Sequence, residues 1–340
     1  MRALTITDTN VLKGIALLLL LCHHCFYAGE PYDDIEINGV PMIARLGSFS
    51  KICVAIFVFL SGYGLTIQTM AKGGIGNVLT FYRRRYVKLM INYWLIWFLF
   101  VPLGVFVFHR TFPLVYGDHY EFRAFWDFLG LHQAVFNDAG YNATWWFYSC
   151  IIVLYLIYPI IWRFRRLWFI MIPLAIVFEM AIFHVPFFGS SNIGPYFLSF
   201  VCGLSYAYVN PRILGGGEIM EKIFLLLALA MVCEYRFHIG ATYLWDAAII
   251  ITGTFIYSII SIPKCLSEVL AFLGKHSFNI FLFHTFILVY YFHDYIYWGR
   301  NPLFIYLTLL SVCIPISMFI EWSKQYFHIN ELQNKLMGTF

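Results

Sequence analysis

Ten runs of mostly apolar residues, each roughly 17 to 25 long, divide this chain of 340 residues and leave it few architectures. A run of that length matches the thickness of a bilayer when helical, and in hydrocarbon only helices and closed barrels satisfy all their backbone hydrogen bonds. The runs fall at about 10–28, 51–70, 88–108, 144–162, 167–184, 193–209, 222–237, 241–261, 277–294 and 302–323. The expected fold class is therefore all-α: a polytopic membrane helix bundle of about ten transmembrane helices. With 61% hydrophobic and only 12% charged residues, an ordinary soluble domain is excluded. The loops are too short to build a second core, so residues 1–340 are expected to form a single integral domain in contact with the lipid bilayer. The first run is long, carries internal Lys and His, and lacks a small-residue cleavage site, so it reads as a span and not as a removed leader.

Charge assigns an expected orientation. Placing the N-terminus in the cytoplasm puts fifteen of the 22 Lys and Arg residues on the inner side, including Arg83, Arg84, Arg85 and Lys88. Six fall outside, and Lys13 lies within the first span. The excess favours N-in, C-in, and hence a multi-pass protein of the cell inner or plasma membrane. Among the outer loops, residues 109–143 are the longest, long enough to form a lid or platform as well as a solvated connector.

The first run, NVLKGIALLLLLCHHCFYA from Asn10 to Ala28, carries Lys13, His23 and His24. Ionisable groups at membrane depth are costly and mark function. Lys13 and His24 are eleven residues apart, which returns them to nearly the same helix face about 16 Å apart along the axis. His23 points about 100° away, toward a packing or supporting role. The neighbouring Cys22-His23-His24-Cys25 cannot converge on one ion, since consecutive helical side chains diverge, so no metal is expected. The eight cysteines lie mostly inside apolar runs, against a disulfide framework. Arg83, Arg84 and Arg85 suit either topology and anionic lipid or a phosphate ligand held by guanidinium forks. Glu179, Glu234 and Asp246 are further acids at or near membrane depth, without an assigned role.

One spacing and four segments, in order, carry a resemblance. The Lys13 to His24 spacing is followed by Cys53 to Leu65, CVAIFVFLSGYGL, then by Phe81-Tyr82-Arg83-Arg84-Arg85-Tyr86. Next come Thr144-Trp145-Trp146-Phe147-Tyr148 with Tyr158-Pro159, and finally Ser277-Phe278-Asn279 leading to His284. Across nearly its whole length the chain resembles the acyltransferase-3 family of integral membrane acyltransferases, which O-acetylate sugars of cell-surface or exported glycans. Arginine is the family's more usual residue where Lys13 stands; lysine keeps the charge and loses the bidentate fork.

The resemblance implies acetyl-CoA as acyl donor and a glycan or glycolipid hydroxyl as acceptor. Such a transfer needs a base, stabilisation of the oxyanion, and a means of holding both substrates. His24 is the expected base, with direct transfer and an acyl-histidine both compatible with one imidazole. Arg83, Arg84, Arg85, Lys88 and Lys13 would receive the anionic head of CoA. Ser61, Asn279 and His284 would orient the base or stabilise charge, or else make interhelical hydrogen bonds. Tyr63, Trp145 and Trp146 would stack on the sugar from the outer side. A competing expectation is a transporter or flippase that uses the same buried Lys and His as a pathway. Self-association is left open, and no feature points to nucleic acid.

Overall fold

A computed structural model describes residues 4–26, 29–182, 194–209, 219–239, 243–260 and 262–338. Each of the ten apolar runs contains a helix, and the only strands among the described residues are the two-residue pair Glu36–Ile37 and Val40–Pro41. The chain is an all-α bundle. Among the described residues, six helical segments are long and apolar enough to cross a membrane: Ile6–Cys25, Met42–Ala71, Val78–Phe106, Ala143–Arg163, Lys264–Tyr291 and Pro302–Tyr326.

The helices that shape the site are α1 (Ile6–Cys25), α2 (Met42–Ser50), α3 (Cys53–Ala71) and α4 (Val78–Phe106). The segment after α4 carries α5 (Phe112–Tyr116), α6 (Tyr120–Phe128) and α7 (His132–Phe136). Next come α8 (Trp146–Arg163), α9 (Trp168–Ile182), α10 (Phe197–Val209), α11 (Ile219–Ile239), α12 (Tyr243–Ile259) and α13 (Lys264–Thr285). The last three are α14 (His293–Tyr297), α15 (Pro302–Tyr326) and α16 (Ile329–Met337).

Helix α1 begins at a capping box: the Thr5 hydroxyl accepts from the Asp8 amide at 3.1 Å, and the Asp8 carboxylate accepts from the Thr5 amide at 2.8 Å. These bonds satisfy two of the amide donors that a helix start leaves orphaned. Helices α1 and α13 then run side by side in the same direction. A side chain at Gly14 would strike the Leu270 carbonyl, and one at Gly274 would strike that of Asn10. Small residues let membrane helices approach to backbone contact, and this approach brings the far ends of α1 and α13 together at His24 and His284.

Two helices begin well before their apolar runs. Helix α4 starts at Val78, ten residues ahead of the expected span, because Asn77 caps it by accepting from the Thr80 amide at 2.9 Å. The arginine string is therefore helical. Helix α13 starts at Lys264, directly after Pro263 and without a side-chain cap. Hydropathy marks membrane depth, whereas caps mark where a helix begins.

The long segment between α4 and α8 is folded. Asp127 is 2% exposed and its carboxylate accepts from the Tyr116 hydroxyl at 2.5 Å and the Tyr141 amide at 2.6 Å. The Tyr93 hydroxyl of α4 donates to the Asp127 carbonyl at 2.6 Å. Burial raises the Asp127 carboxyl above the ordinary carboxylate range although these donors pull it down. Arg110 lies over the Tyr290 ring at 3.8 Å and donates to the Tyr141 carbonyl. At the opposite end of the bundle, α16 folds back on α4, where Arg84 donates to the Met337 carbonyl at 3.1 Å and the Gly338 carbonyl at 3.3 Å.

Candidate active site

A cavity of about 550 Å³ opens at the Lys13 end of α1. Lys13, Arg85, Lys88, Lys275 and Lys324 line it, and no described carboxylate does. Lys13 makes no hydrogen bond or ion pair among the described residues, and Lys88 is near enough to repel it. Five cations around one void, of which Lys324 is paired with Glu321, are a ready receptor for a multiply charged anion. Gln68, Arg85, Lys88 and Gln333 also border a second cavity of about 660 Å³, which lies between α16, Arg84 and the glycine-rich turn from Gly73 to Gly76. Arg85 stands between the two, donating to Gln68 at 3.0 Å and lying over the Phe81 ring at 5.6 Å. Arg83 is exposed and borders neither cavity.

At the other end of α1, His24 borders a small cavity of about 20 Å³ with Leu20, Val54, Thr144 and Trp146. The ring of His284 stands 4.8 Å from that of His24, centroid to centroid. His284 is fully buried. Its Nδ1 lies 3.0 Å from both the Ile280 and Phe281 carbonyls, and carbonyls only accept, so the ring proton sits on Nδ1. Nε2 is then a bare lone pair, and it has no partner among the described residues. An unsatisfied buried acceptor costs about 1–3 kcal/mol, so Nε2 is the atom of this ring open to a further donor. Immediately after Thr285 the helix widens into a π turn, Phe286–Tyr291, a feature frequent at functional sites.

Neighbouring residues brace the helix ends that carry these two rings. The Asn142 side-chain oxygen Oδ1 accepts from the Thr144 hydroxyl at 2.7 Å and the Thr285 hydroxyl at 2.8 Å, clamping the start of α8 to the end of α13. The ring of His23 is 4.9 Å from that of His24, and its Nδ1 donates to the Gly47 carbonyl at 2.9 Å. Trp146 borders the His24 cavity and stacks on Tyr196 with centroids 5.7 Å apart.

Other residues singled out in the sequence lie elsewhere. Tyr63 is at the Lys13 end of the bundle, where its hydroxyl donates to the Leu4 carbonyl at 3.2 Å. Trp145 is buried and donates to the Leu282 carbonyl at 2.9 Å, with its ring against Tyr93. Ser61 borders the cationic cavity and shares a hydrogen bond with Tyr155. Asn279 donates to Glu321 at 2.7 Å; Glu321 in turn accepts from Lys324 at 2.5 Å. Asn279 thus fixes a cation of the cavity wall and does not meet His24. Asp246 forms a fully buried ion pair with Arg236 at 2.6 Å.

Reading the sequence missed Asn142, Thr144, Thr285 and Lys324. Thr144 opens a recognised motif without being given a role, Thr285 directly follows another, and Lys324 was visible only as an inner-side charge. Their roles depend on helix neighbours that no local pattern displays.

The fold is thus a helical bundle of membrane-spanning character with a buried histidine pair beyond a cationic cavity. The acyltransferase-3 family model, described as an acyltransferase domain, matches residues 6–322, and the chain belongs to that family. It is similar to acyltransferase MdmB from Streptomyces mycarofaciens, 28% identical over 318 residues that cover 81% of this chain and 76% of that protein. No solved structure matches. The chain is an acyltransferase, which sets aside the transporter expectation.

Proposed function

We propose that this acyltransferase moves an acetyl group from acetyl-CoA, bound from the cytoplasm, to a hydroxyl of a cell-surface or exported glycan, with His24 as general base. In this reading the chain spans the cell's inner or plasma membrane ten times, with both termini inside, so that Lys13 faces the cytoplasm. The observation that carries the proposal is the order along α1: a five-cation cavity at Lys13, then the enclosed histidine pair. The phosphates of CoA suit Arg85, Lys88, Lys275, Lys324 and Lys13, and the pantetheine arm is directed along the Lys13 to His24 face. The acceptor enters from the outer side past Trp146. Its hydroxyl proton passes to His24 as the oxygen attacks the thioester carbonyl; the carbon–sulfur bond breaks and CoA leaves as the thiol, taking a proton back from the imidazole. His284 orients His24 and offers Nε2 as an acceptor beside it.

The test is thioester turnover by the purified protein against a panel of glycans, paired with mass spectrometry of surface glycans from cells with and without the active gene. Release of free CoA that depends on acceptor, and loss of one acetyl per modified sugar in the deficient cells, are expected. Absence of CoA release with every acceptor and unchanged glycans would overturn the proposal.

A further inference from the structure

The cationic cavity and the His24 cavity share three lining residues, Phe57, Phe147 and Phe281. They come from α3, α8 and α13, and form the wall between the two spaces. Phe147 meets Phe281 edge-on with centroids 4.9 Å apart, and Phe57 lies 6.2 Å from Phe147. Beyond them the free space at His24 is about 20 Å³, room for about one water-sized group.

We propose that these three rings are the specificity-determining residues for the acyl group: a neck that admits a thioester carrying a methyl beyond its carbonyl and rejects longer chains. The inference rests on the acyl-CoA reading above. A longer acyl tail must displace rings packed from three helices, and tightly packed interiors resist added methylenes. The donor head binds on the Lys13 side of the rings and never meets this restriction. Discrimination therefore belongs to turnover and not to donor binding.

The experiment compares acetyl-, propionyl- and butyryl-CoA with the purified full-length protein and its acceptor. In the wild type, Kd is expected to be similar for the three donors, while kcat falls steeply with chain length. Phe57→Ala should shift the butyryl-to-acetyl ratio of kcat/KM upward by at least about tenfold, the discrimination that one or two methylenes support. Phe57→Trp should shift it down, and the milder Phe147→Leu should shift it up in a protein that keeps its apolar packing. Wild-type turnover of all three donors at equal kcat, or a ratio unmoved in every variant, would overturn the neck alone. Wild-type protein that releases no CoA from any donor would overturn the acyl-CoA reading together with it.

Discussion

The rings of His24 and His284 stand 4.8 Å apart, tilted by 55°, at the ends of two helices that run in parallel from a glycine contact. His284 has its Nδ1 proton committed to backbone carbonyls and cannot reorient without losing both bonds. Its neighbour His24 makes no hydrogen bond among the described residues and borders a cavity of about 20 Å³. The pair thus divides labour between a fixed ring and a free one.

His284→Gln keeps a polar group of similar reach but removes the imidazole. Acetyl transfer is expected to fall by about 10²–10³-fold, within the range for acid–base partners, with acetyl-CoA binding retained. Isothermal titration and CoA release on the same preparation check this. A protein with unchanged kcat would make His284 a packing residue.

The arginines of α4 should separate in their effects. Arg85→Gln and Lys88→Gln are expected to raise the KM for acetyl-CoA by about tenfold each, as loss of donor binding does. Arg83→Gln should leave KM unchanged, because its side chain is exposed and borders neither cavity. Arg84→Gln should act chiefly by releasing α16, whose terminal carbonyls it holds, and shows as protease sensitivity near Met337.

Helix approach at Gly274 is a stability prediction. Gly274→Val adds atoms where even a first side-chain carbon meets the Asn10 carbonyl. Overpacking of this kind costs about 1–3 kcal/mol, and a lowered melting temperature in detergent is the readout.

The loop after α1 is held by His293, which bonds Glu30 at 2.8 Å and Asp294 at 3.2 Å. Partial burial works to lower the His293 pKa, but the bonds from Glu30 and Asp294 win and raise it above the ordinary 6.5. A raised imidazole contributes stability that is fully present below its unfolded pKa and is lost as pH rises through the folded one. The melting temperature should therefore decline across that window above 6.5, and Glu30→Gln should flatten the decline.

Much of the fold was legible because membrane helices announce themselves by length and hydropathy; all ten runs hold helices. Lys13 and His24 stood out for the same reason, as ionisable groups where such groups are costly. The partners of His24 were less legible. Asn279 and His284 sit five residues apart on α13, yet one turns to Glu321 and the other to His24. Tyr63 and Trp146 both read as platforms for a sugar, and only packing puts Tyr63 against Leu4 and Trp146 beside His24. Phe57, Phe147 and Phe281 lie inside the recognised segments, yet nothing sets their role apart among 36 phenylalanines, since a neck is defined by the two spaces it separates.

The most direct measurement is His24→Ala assayed for acceptor-dependent CoA release and for acetyl-CoA affinity on one preparation. Turnover is expected to drop by about 10²–10⁴-fold, with affinity preserved because the proposed site for the donor head is at the far end of α1. Near wild-type turnover in that variant would contradict the account.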